Sequence, residues 1–307
     1  MKATVLITGV NGFLGGGMWE YLSGKSRSLK LAGADIIPGL EDERIWHIDL
    51  TCERSLEKML TQVQPDIIIH CAGGRMSDEE AARLANLGTT ESLCAALHEL
   101  GMTGTRVVIP GSAAEYGIPA KNVRKIREDV KPRPQSEYGQ IKWEQTRAAL
   151  GWAKKGLHIC VGRIFNITGA GTPESLAAGR FAQQIALMEL RGKSGILQTY
   201  DLSGKRDFID IQDVCAALWM LARHGESGEV YNICSGRPTG VAELLERLIM
   251  CSKMTDVTID EQGTSSPSFN VIGSAAKIKR AVGWEAQVAL DKSLRQTLHS
   301  WRRKVRG

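Results

Sequence analysis

The sequence predicts an α/β protein, a doubly wound parallel sheet with a smaller C-terminal domain interleaved with it. Strand-like and helix-like segments alternate as far as residue 165. Several strand-like segments are near-continuous apolar runs, such as DIIIH at 66–70, which is typical of parallel strands covered on both faces. The alternation ends after Asn166, where Gly169, Gly171 and Pro173 interrupt the chain, so a second domain is predicted to begin there.

The individual elements follow from residue patterns in chain order. Ala3–Thr8 is apolar and β-branched, which indicates a buried strand, and the helical spacing of Met18, Trp19 and Leu22 predicts the first helix. Further strands are predicted at 29–34, 44–49, 66–70, 105–110, 157–163 and 229–234. Further helices are predicted at 53–62, 78–100, 136–150, 174–192, 210–224, 241–252 and 293–303, with Thr51 and Ser136 as caps of the first and third of these.

The composition excludes several classes of function. A net charge of +5 over 307 residues suits small anionic ligands but is too weak and too dispersed to indicate nucleic-acid binding. The seven cysteines include no CxxC pair and the six histidines have no ligand spacing, so we expect reduced thiols and no metal site. The sequence has no signal peptide and no long apolar span, which predicts a cytoplasmic protein without a membrane segment.

Three glycines follow the first strand at the spacing G-x-x-G-x-x-G, namely Gly9, Gly12 and Gly15. Glycines let the backbone approach a phosphate, and the N–H groups at the start of a helix face the anion. An ordinary strand–turn–helix corner shares part of this pattern. Asp35, however, comes twenty residues after Gly15 at the end of the second strand, where a carboxylate reaches a ribose. The stretch therefore predicts a dinucleotide site, and we expect Asp35 to favour NAD(H) over NADP(H).

Other polar residues follow later strands at their carboxyl ends, where open α/β sheets bind ligands. The glycine-rich loop CAGGRMSD (71–78) follows one strand, and Ser112 follows the next. Tyr138 and Lys142 lie one helical turn apart and so share a face. A nearby ammonium favours the phenolate form of a tyrosine, so the pair suits acid–base chemistry, although the spacing is equally that of an exposed helix pair. The basic loop 121–134 is either a solvated surface loop or a charged lip for an anionic substrate.

Together these motifs resemble the extended short-chain dehydrogenase/reductases of the NAD-dependent epimerase/dehydratase family that act on nucleotide sugars. The resemblance covers the whole chain, and within the family it is strongest to the GDP-6-deoxy-4-keto-mannose reductases. The motifs that carry it are TGVNGFLG, Asp49-Leu50, HCAGG, GSAAEYG, SEYGQIK, GRIFNITGAG, KRDFIDIQDV, EVYNICSGRP and the IGS that ends at Ser274.

The resemblance implies a Rossmann fold, an NAD or NADP cofactor and a Ser–Tyr–Lys site. In such a site Tyr138 donates a proton to the C4 ketone oxygen of the sugar, and Ser112 hydrogen-bonds the same oxygen. Lys142 lowers the pKa of the tyrosine and holds the nicotinamide ribose, and Asn86 lies on the helix behind the site. The resemblance also implies a homodimer that forms through helices 78–100 and 136–155, with Leu93, Leu97, Ile141 and Leu150 as candidate contacts.

The same resemblance assigns the remaining site residues and the domains. The implied cofactor-binding residues are Gly9, Asn11, Gly12, Phe13, Leu14, Gly15, Asp35, Asp49, Leu50, Cys71, Ala72, Gly73, Tyr138, Lys142 and Ile164. The implied substrate-binding residues are Arg75, Ser112, Ala113, Asn166, Arg180 and Arg206. The dinucleotide-binding domain is predicted at 1–165 with a return segment at about 206–232, and the substrate-binding domain at 166–205 and 233–307.

The sequence differs from related enzymes in features that bear on the reaction and on the substrate, and its loop 73–78 is also shorter than in typical reductases. Ala114 stands where 4,6-dehydratases carry a catalytic glutamate, and neighbouring Glu115 is expected to face the other side of an extended chain, so dehydratase activity is excluded. No Lys or Arg occurs from 254 to 276, where family members usually carry an arginine for the substrate diphosphate. The stretch has only Thr264 to Pro267 in that place, so Arg206, Arg180 or Lys193 takes over that role or the ligand is not a GDP-sugar.

Three functions remain open at the level of sequence. The first is a reductase of a nucleotide 4-keto-6-deoxysugar. The second is a 4-epimerase, which uses the same three residues but keeps its NAD bound. The third is a non-catalytic dinucleotide-sensing protein, against which the intact Ser112, Tyr138 and Lys142 weigh.

Overall fold

The computed structural model describes residues 2–25, 28–39, 42–120, 123–192, 195–254, 256–262 and 269–307. Within these ranges, no helix is both long enough and apolar enough to cross a membrane. Lys121, Lys193 and the stretch from Thr264 to Pro267 lie outside the described residues.

Strand and helix segments follow one another as far as residue 164, in line with the alternation that the sequence predicts up to residue 165. The strands are β1 (Ala3–Thr8), β2 (Leu29–Asp35), β3 (Ile45–His47), β4 (Ile67–His70), β5 (Arg106–Ser112), β6 (His158–Ile164), β7 (Asn166–Thr168), β8 (Gly195–Thr199), β9 (Lys205–Asp210), β10 (Val230–Ile233), β11 (Pro238–Gly240) and β12 (Val257–Glu261). The helices are α1 (Phe13–Ser23), α2 (Glu53–Val63), α3 (Glu79–Arg83), α4 (Thr89–Glu99), α5 (Glu137–Lys154), α6 (Ala177–Arg191), α7 (Ile211–His224), α8 (Val241–Met250), α9 (Ala276–Val282) and α10 (Leu290–Lys304).

The large sheet has seven parallel strands in the order β10-β6-β5-β4-β1-β2-β3, which confirms the predicted doubly wound sheet. Successive strand residues enter different cores: Val5 and Ile7 pack with α1 and α7 on one face, and Leu6 packs with α2 and α4 on the other. All three are fully buried. Burial on both faces explains why these strands are apolar at every position rather than at alternate ones.

The C-terminal half adds two small sheets and a further helical cluster. β9 pairs with β7 and β11, and β8 pairs with β12. Helices α6, α8 and α10 share an apolar cluster that contains Phe181, Leu245 and Leu298. Helix α9 instead packs on the large-sheet core through Ile278 and Val282, although it belongs to the segment predicted for the substrate domain. The division of the chain into two domains stays a prediction.

Two local predictions differ from the structure. The predicted helix 78–100 contains a π-helical turn at Leu84–Gly88 between α3 and α4. The N-cap of α2 is Cys52 rather than Thr51, because the Thr51 hydroxyl donates to Asp49 Oδ1 at 2.7 Å instead. The short strands β7, β9, β11 and β12 and helix α9 were not predicted, since three to seven residues carry little periodicity.

Candidate active site

A cavity of about 720 Å³ opens where β1, β4, β5 and β6 end. Most of the residues predicted for cofactor and substrate meet there, although they come from distant parts of the sequence. The predicted residues that line it are Gly12, Phe13, Leu14, Gly15, Cys71, Ala72, Gly73, Arg75, Ser112, Ala113, Tyr138, Lys142, Ile164, Asn166 and Arg206. A volume in this range is usual for a cofactor or substrate cleft.

The glycine turn after β1 forms one wall of the cavity. Gly9 has φ +66°, a left-handed conformation that glycine adopts without strain. A side chain at Gly15 would place its Cβ 1.9 Å from the Gly9 carbonyl oxygen, so the turn closes on α1 only with glycine there. Helix α1 begins after Gly12, and no side chain among the described residues caps its first turn. The first amides of this helix therefore remain available to an anion in the cavity.

Five predicted cofactor residues are not among the described residues that line the cavity: Gly9, Asn11, Asp35, Asp49 and Leu50. The Asp35 carboxylate accepts from the backbone N–H groups of Asn11 and Ile37 at 2.8 and 2.9 Å. It thereby ties the glycine turn to the loop after β2. Asp49 accepts from the Thr51 backbone at 2.8 Å, and Leu50 is buried in the core.

Ser112, Tyr138 and Lys142 all line the cavity, as predicted. Ser112 ends β5, and the other two lie on α5, whose predicted cap is confirmed because Ser136 Oγ accepts from Gly139 N–H at 3.1 Å. The Lys142 ammonium donates to the Pro110 carbonyl at 2.7 Å and to Gln145 Oε1. An ammonium has three N–H donors, so one is left for a ligand. Burial lowers the pKa of Lys142 to about 8, and Glu115 and Cys71 act in the opposite direction.

The electrostatic environment of Tyr138 includes a cation that the sequence did not suggest for this role. Burial raises its pKa, while the Arg75 charge and a hydrogen bond with Ser112 oppose that rise. The Arg75 guanidinium carbon lies 4.6 Å from the centroid of the tyrosine ring. Arg75 is thus a cation that favours the phenolate, and the same role for Lys142 stays a prediction.

A buried ion pair fixes the backbone of Ser112. Glu115 lies in a single 3₁₀ turn, Ala113–Tyr116, rather than in the expected extended chain. Its carboxylate accepts from Ser112 N–H at 2.8 Å and from Arg163 Nε at 2.7 Å. Burial raises the pKa of Glu115, and the Arg163 charge opposes that rise. The carboxylate is fully buried against Arg163 and does not reach the cavity, which agrees with the exclusion of dehydratase chemistry.

Sequence reasoning missed Gln145, which fixes the position of Lys142. Gln145 is buried, and its amide nitrogen donates to the Asn86 carbonyl at 3.1 Å and to Thr90 Oγ1 at 2.8 Å. Those two bonds orient Gln145 Oε1 towards the Lys142 ammonium. The spacing of three residues from Lys142 on the same helix was the signal that could have revealed it.

On the substrate side, Arg206 and Arg180 behave differently. Arg206 lines the cavity; it donates to the Phe269 carbonyl at 2.5 Å and its guanidinium carbon lies 4.3 Å from the Phe269 ring centroid. Burial lowers the pKa of Arg206. Arg180 is not among the described residues that line the cavity. Its guanidinium carbon instead lies 5.4 Å from the centroid of the Tyr200 ring.

The basic loop does not reach the cavity within its described part, which starts at residue 123. Its basic side chains are exposed and are absent from the described cavity lining: Arg124, Lys125, Arg127, Lys131 and Arg133. This arrangement supports a solvated surface loop rather than a charged lip.

The sequence pattern of the NAD dependent epimerase/dehydratase family matches residues 5–234. The chain belongs to this family. Family membership agrees with the glycine turn and with the Ser–Tyr–Lys arrangement around the cavity. Membership of this family makes the protein an enzyme with a site for a nicotinamide dinucleotide.

Relatives within the family act on nucleotide sugars, according to their names. The chain is 31% identical to a GDP-6-deoxy-D-mannose reductase of Pseudomonas aeruginosa, over all of this chain and 99% of the relative. It is 25% identical to a dTDP-L-rhamnose 4-epimerase of Burkholderia thailandensis, over 97% of this chain and 94% of that one. The structure of RMD from Pseudomonas aeruginosa complexed with NADPH matches with a TM-score of 0.87 and 29% identity, over 99% of this chain and all of that chain.

Replacement of Gln145 tests its role behind Lys142. We expect Gln145→Leu to weaken dinucleotide binding roughly tenfold, because a hydrogen bond to a charged group contributes about 1.5–3 kcal/mol. The measurement is a fluorescence titration with NADH. Gln140→Leu, on the exposed side of the same helix, is the matched control. Equal affinities for the two variants would contradict this role.

Asp35 is expected to set the choice between the two dinucleotides. A carboxylate accepts from ribose hydroxyls and repels a 2′-phosphate, and the next residues, Ile36 and Ile37, are exposed and uncharged. We expect titrations to show that the protein binds NADH about ten- to hundredfold more tightly than NADPH. Asp35→Asn should reduce this preference. Because the related RMD structure holds NADPH, tighter NADPH binding by the unaltered protein is the result that would refute this assignment.

Proposed function

We propose that this protein is a reductase that transfers hydride from a nicotinamide cofactor to the C4 ketone of a nucleotide 4-keto-6-deoxysugar similar to GDP-4-keto-6-deoxymannose. The proposal rests on the observation that one cavity is lined by the glycine turn, by Ser112, Tyr138 and Lys142, and by Arg206. The full-length similarity to a GDP-6-deoxy-D-mannose reductase supports the choice of substrate.

In the proposed reaction the protein positions the ketone and supplies the proton. The bound dinucleotide provides the hydride. Tyr138 gives its hydroxyl proton to the C4 oxygen as negative charge develops there, and Ser112 donates a hydrogen bond to the same oxygen. The remaining N–H of Lys142 binds the nicotinamide ribose, while Pro110 and Gln145 hold the other two.

Arg206 is the proposed partner of the substrate diphosphate. It lines the same cavity as the glycine turn, and Phe269 fixes its guanidinium by a ring contact and by a carbonyl hydrogen bond. The segment 254–276 provides no Lys or Arg for this purpose. A fixed guanidinium suits bidentate binding of phosphate oxygens.

A 4-epimerase is the second candidate, because the similarity to a dTDP-L-rhamnose 4-epimerase also spans nearly the whole chain. The same three side chains would serve that reaction. The reactions differ in the fate of the cofactor, since a reductase consumes NAD(P)H and an epimerase recovers it.

We also propose a cytoplasmic homodimer that forms through the outer faces of α4 and α5. Of the four expected contacts, Leu93, Leu97 and Ile141 are buried in the core of the subunit itself, while Leu150 is half-buried and stays a candidate. The outer face instead carries Ala148 and Trp152, both partly exposed. Trp152 donates to Glu91 at 2.6 Å and so links the two helices.

The reductase is tested by adding a panel of GDP-, dTDP-, UDP- and CDP-linked 4-keto-6-deoxysugars to the protein with labelled NADH. We expect stoichiometric NADH oxidation and deuterium at C4 of the product. Tyr138→Phe is the control and should be slower by about 10²–10⁴-fold, since the proton donor is missing. Interconversion of a 4-hydroxy sugar pair without NADH consumption would establish the epimerase instead.

The dimer is tested by sedimentation of Ala148→Arg. The new charge pairs with Glu144 one turn earlier, so it spares the helix while it disrupts an apolar contact between subunits. We expect the unaltered protein to sediment as a dimer and the variant as a monomer. A fully active monomer at low concentration of the unaltered protein would rule out the interface.

A further inference from the structure

Arg75 contacts the face of the tyrosine proposed as proton donor. Its guanidinium carbon lies 4.6 Å from the Tyr138 ring centroid, and both residues line the cavity. A guanidinium in this position is attracted to the ring and stabilises negative charge on the phenol oxygen. The resemblance assigned Arg75 only to substrate binding, so this contact gives it a different task.

The loop that carries Arg75 is held in place by Asn86. The Asn86 side chain accepts from Gly74 N–H at 3.1 Å and donates to the Gly74 carbonyl at 2.8 Å, so it fixes both polar groups of the residue before Arg75. Gly73 has φ +118°, and a Cβ there would lie 2.5 Å from Asn86 Oδ1. Asn86 is itself buried and donates to the Ala82 carbonyl at 2.7 Å. The backbone next to Arg75 is therefore fixed by a buried asparagine, while the Arg75 side chain itself is exposed.

Other charged or polar groups face Tyr138 from each element packed around it. Ser112, at the end of β5, lowers its pKa through a hydrogen bond, and Glu115, in the 3₁₀ turn, raises it. Glu115 is paired with Arg163 at 2.7 Å. Lys142, on the same helix, directs two donors away to Pro110 and Gln145. Arg75 is the cation whose guanidinium lies over the Tyr138 ring itself.

We propose that Arg75 is an electrostatic positioning residue for Tyr138, which stabilises its phenolate while Lys142 serves the cofactor ribose. Only the expected effect of Arg75 on catalysis rests on the proposed function. The interaction itself is a property of the protein without ligands.

The test is a spectrophotometric titration of Tyr138 in the protein without ligands. The unaltered protein and each Arg75 or Arg303 variant are titrated with and without an added Tyr138→Phe substitution. The difference in phenolate absorbance within each pair comes from Tyr138 and not from the other four tyrosines. We expect Arg75→Gln to raise the titration midpoint by about one pH unit, a tenfold loss of ionisation. Arg75→Lys keeps the charge and should restore most of the shift. Arg303→Gln, an exposed residue of α10, should leave the midpoint unchanged.

The catalytic consequence is measured separately. Because a less acidic phenol is a weaker proton donor, Arg75→Gln should lower kcat severalfold, with KM little changed. An unchanged midpoint together with a raised KM would overturn the proposal and make Arg75 a substrate contact. An Arg75→Lys midpoint as high as that of Arg75→Gln would also overturn it. A shifted midpoint in a protein that reduces no sugar would uphold this inference and overturn the proposed function.

Discussion

Parallel pairing of β1, β4, β5 and β6 is the constraint on which the rest of this structure depends. In such a sheet all carboxyl ends lie at one edge, so the residues after each strand meet there. The register aligns Thr8 with His70 and Ser112 with Ile164. The glycine turn, the loop 71–78 and Ser112 thus line one cavity, although Gly15 and Ser112 are 97 positions apart in the sequence.

A second consequence of this arrangement is that several charges are buried beside the cavity, and each has a defined partner. Lys142 is held by neutral oxygens, and Arg163 pairs with Glu115. His70 is buried between Thr8 and Thr89, and burial lowers its pKa to about 3, so it stays neutral. Unpaired buried charge is costly, which explains why Lys142, Glu115 and Arg163 each have a partner.

The motif KRDFIDIQDV, which supports the family resemblance, has mainly a structural role. Asp207 accepts from backbone N–H groups of Ser235, Gly236 and Gly273. Asp210 caps α7, and Asp213 accepts from the backbone of Gln287 and Val288. These carboxylates tie the C-terminal segments to the large sheet.

The sequence by itself determined the large sheet, the glycine turn and the positions of Ser112, Tyr138 and Lys142, because each depends on a local pattern of apolar or glycine residues or on one helical turn. Tertiary structure decided which charges meet. The pairing of Glu115 with Arg163 spans 48 residues, and the approach of Arg75 to Tyr138 depends on the Asn86 contact with Gly74. Residues distant in sequence come together only when strands and helices pack, and no local spacing encodes those distances.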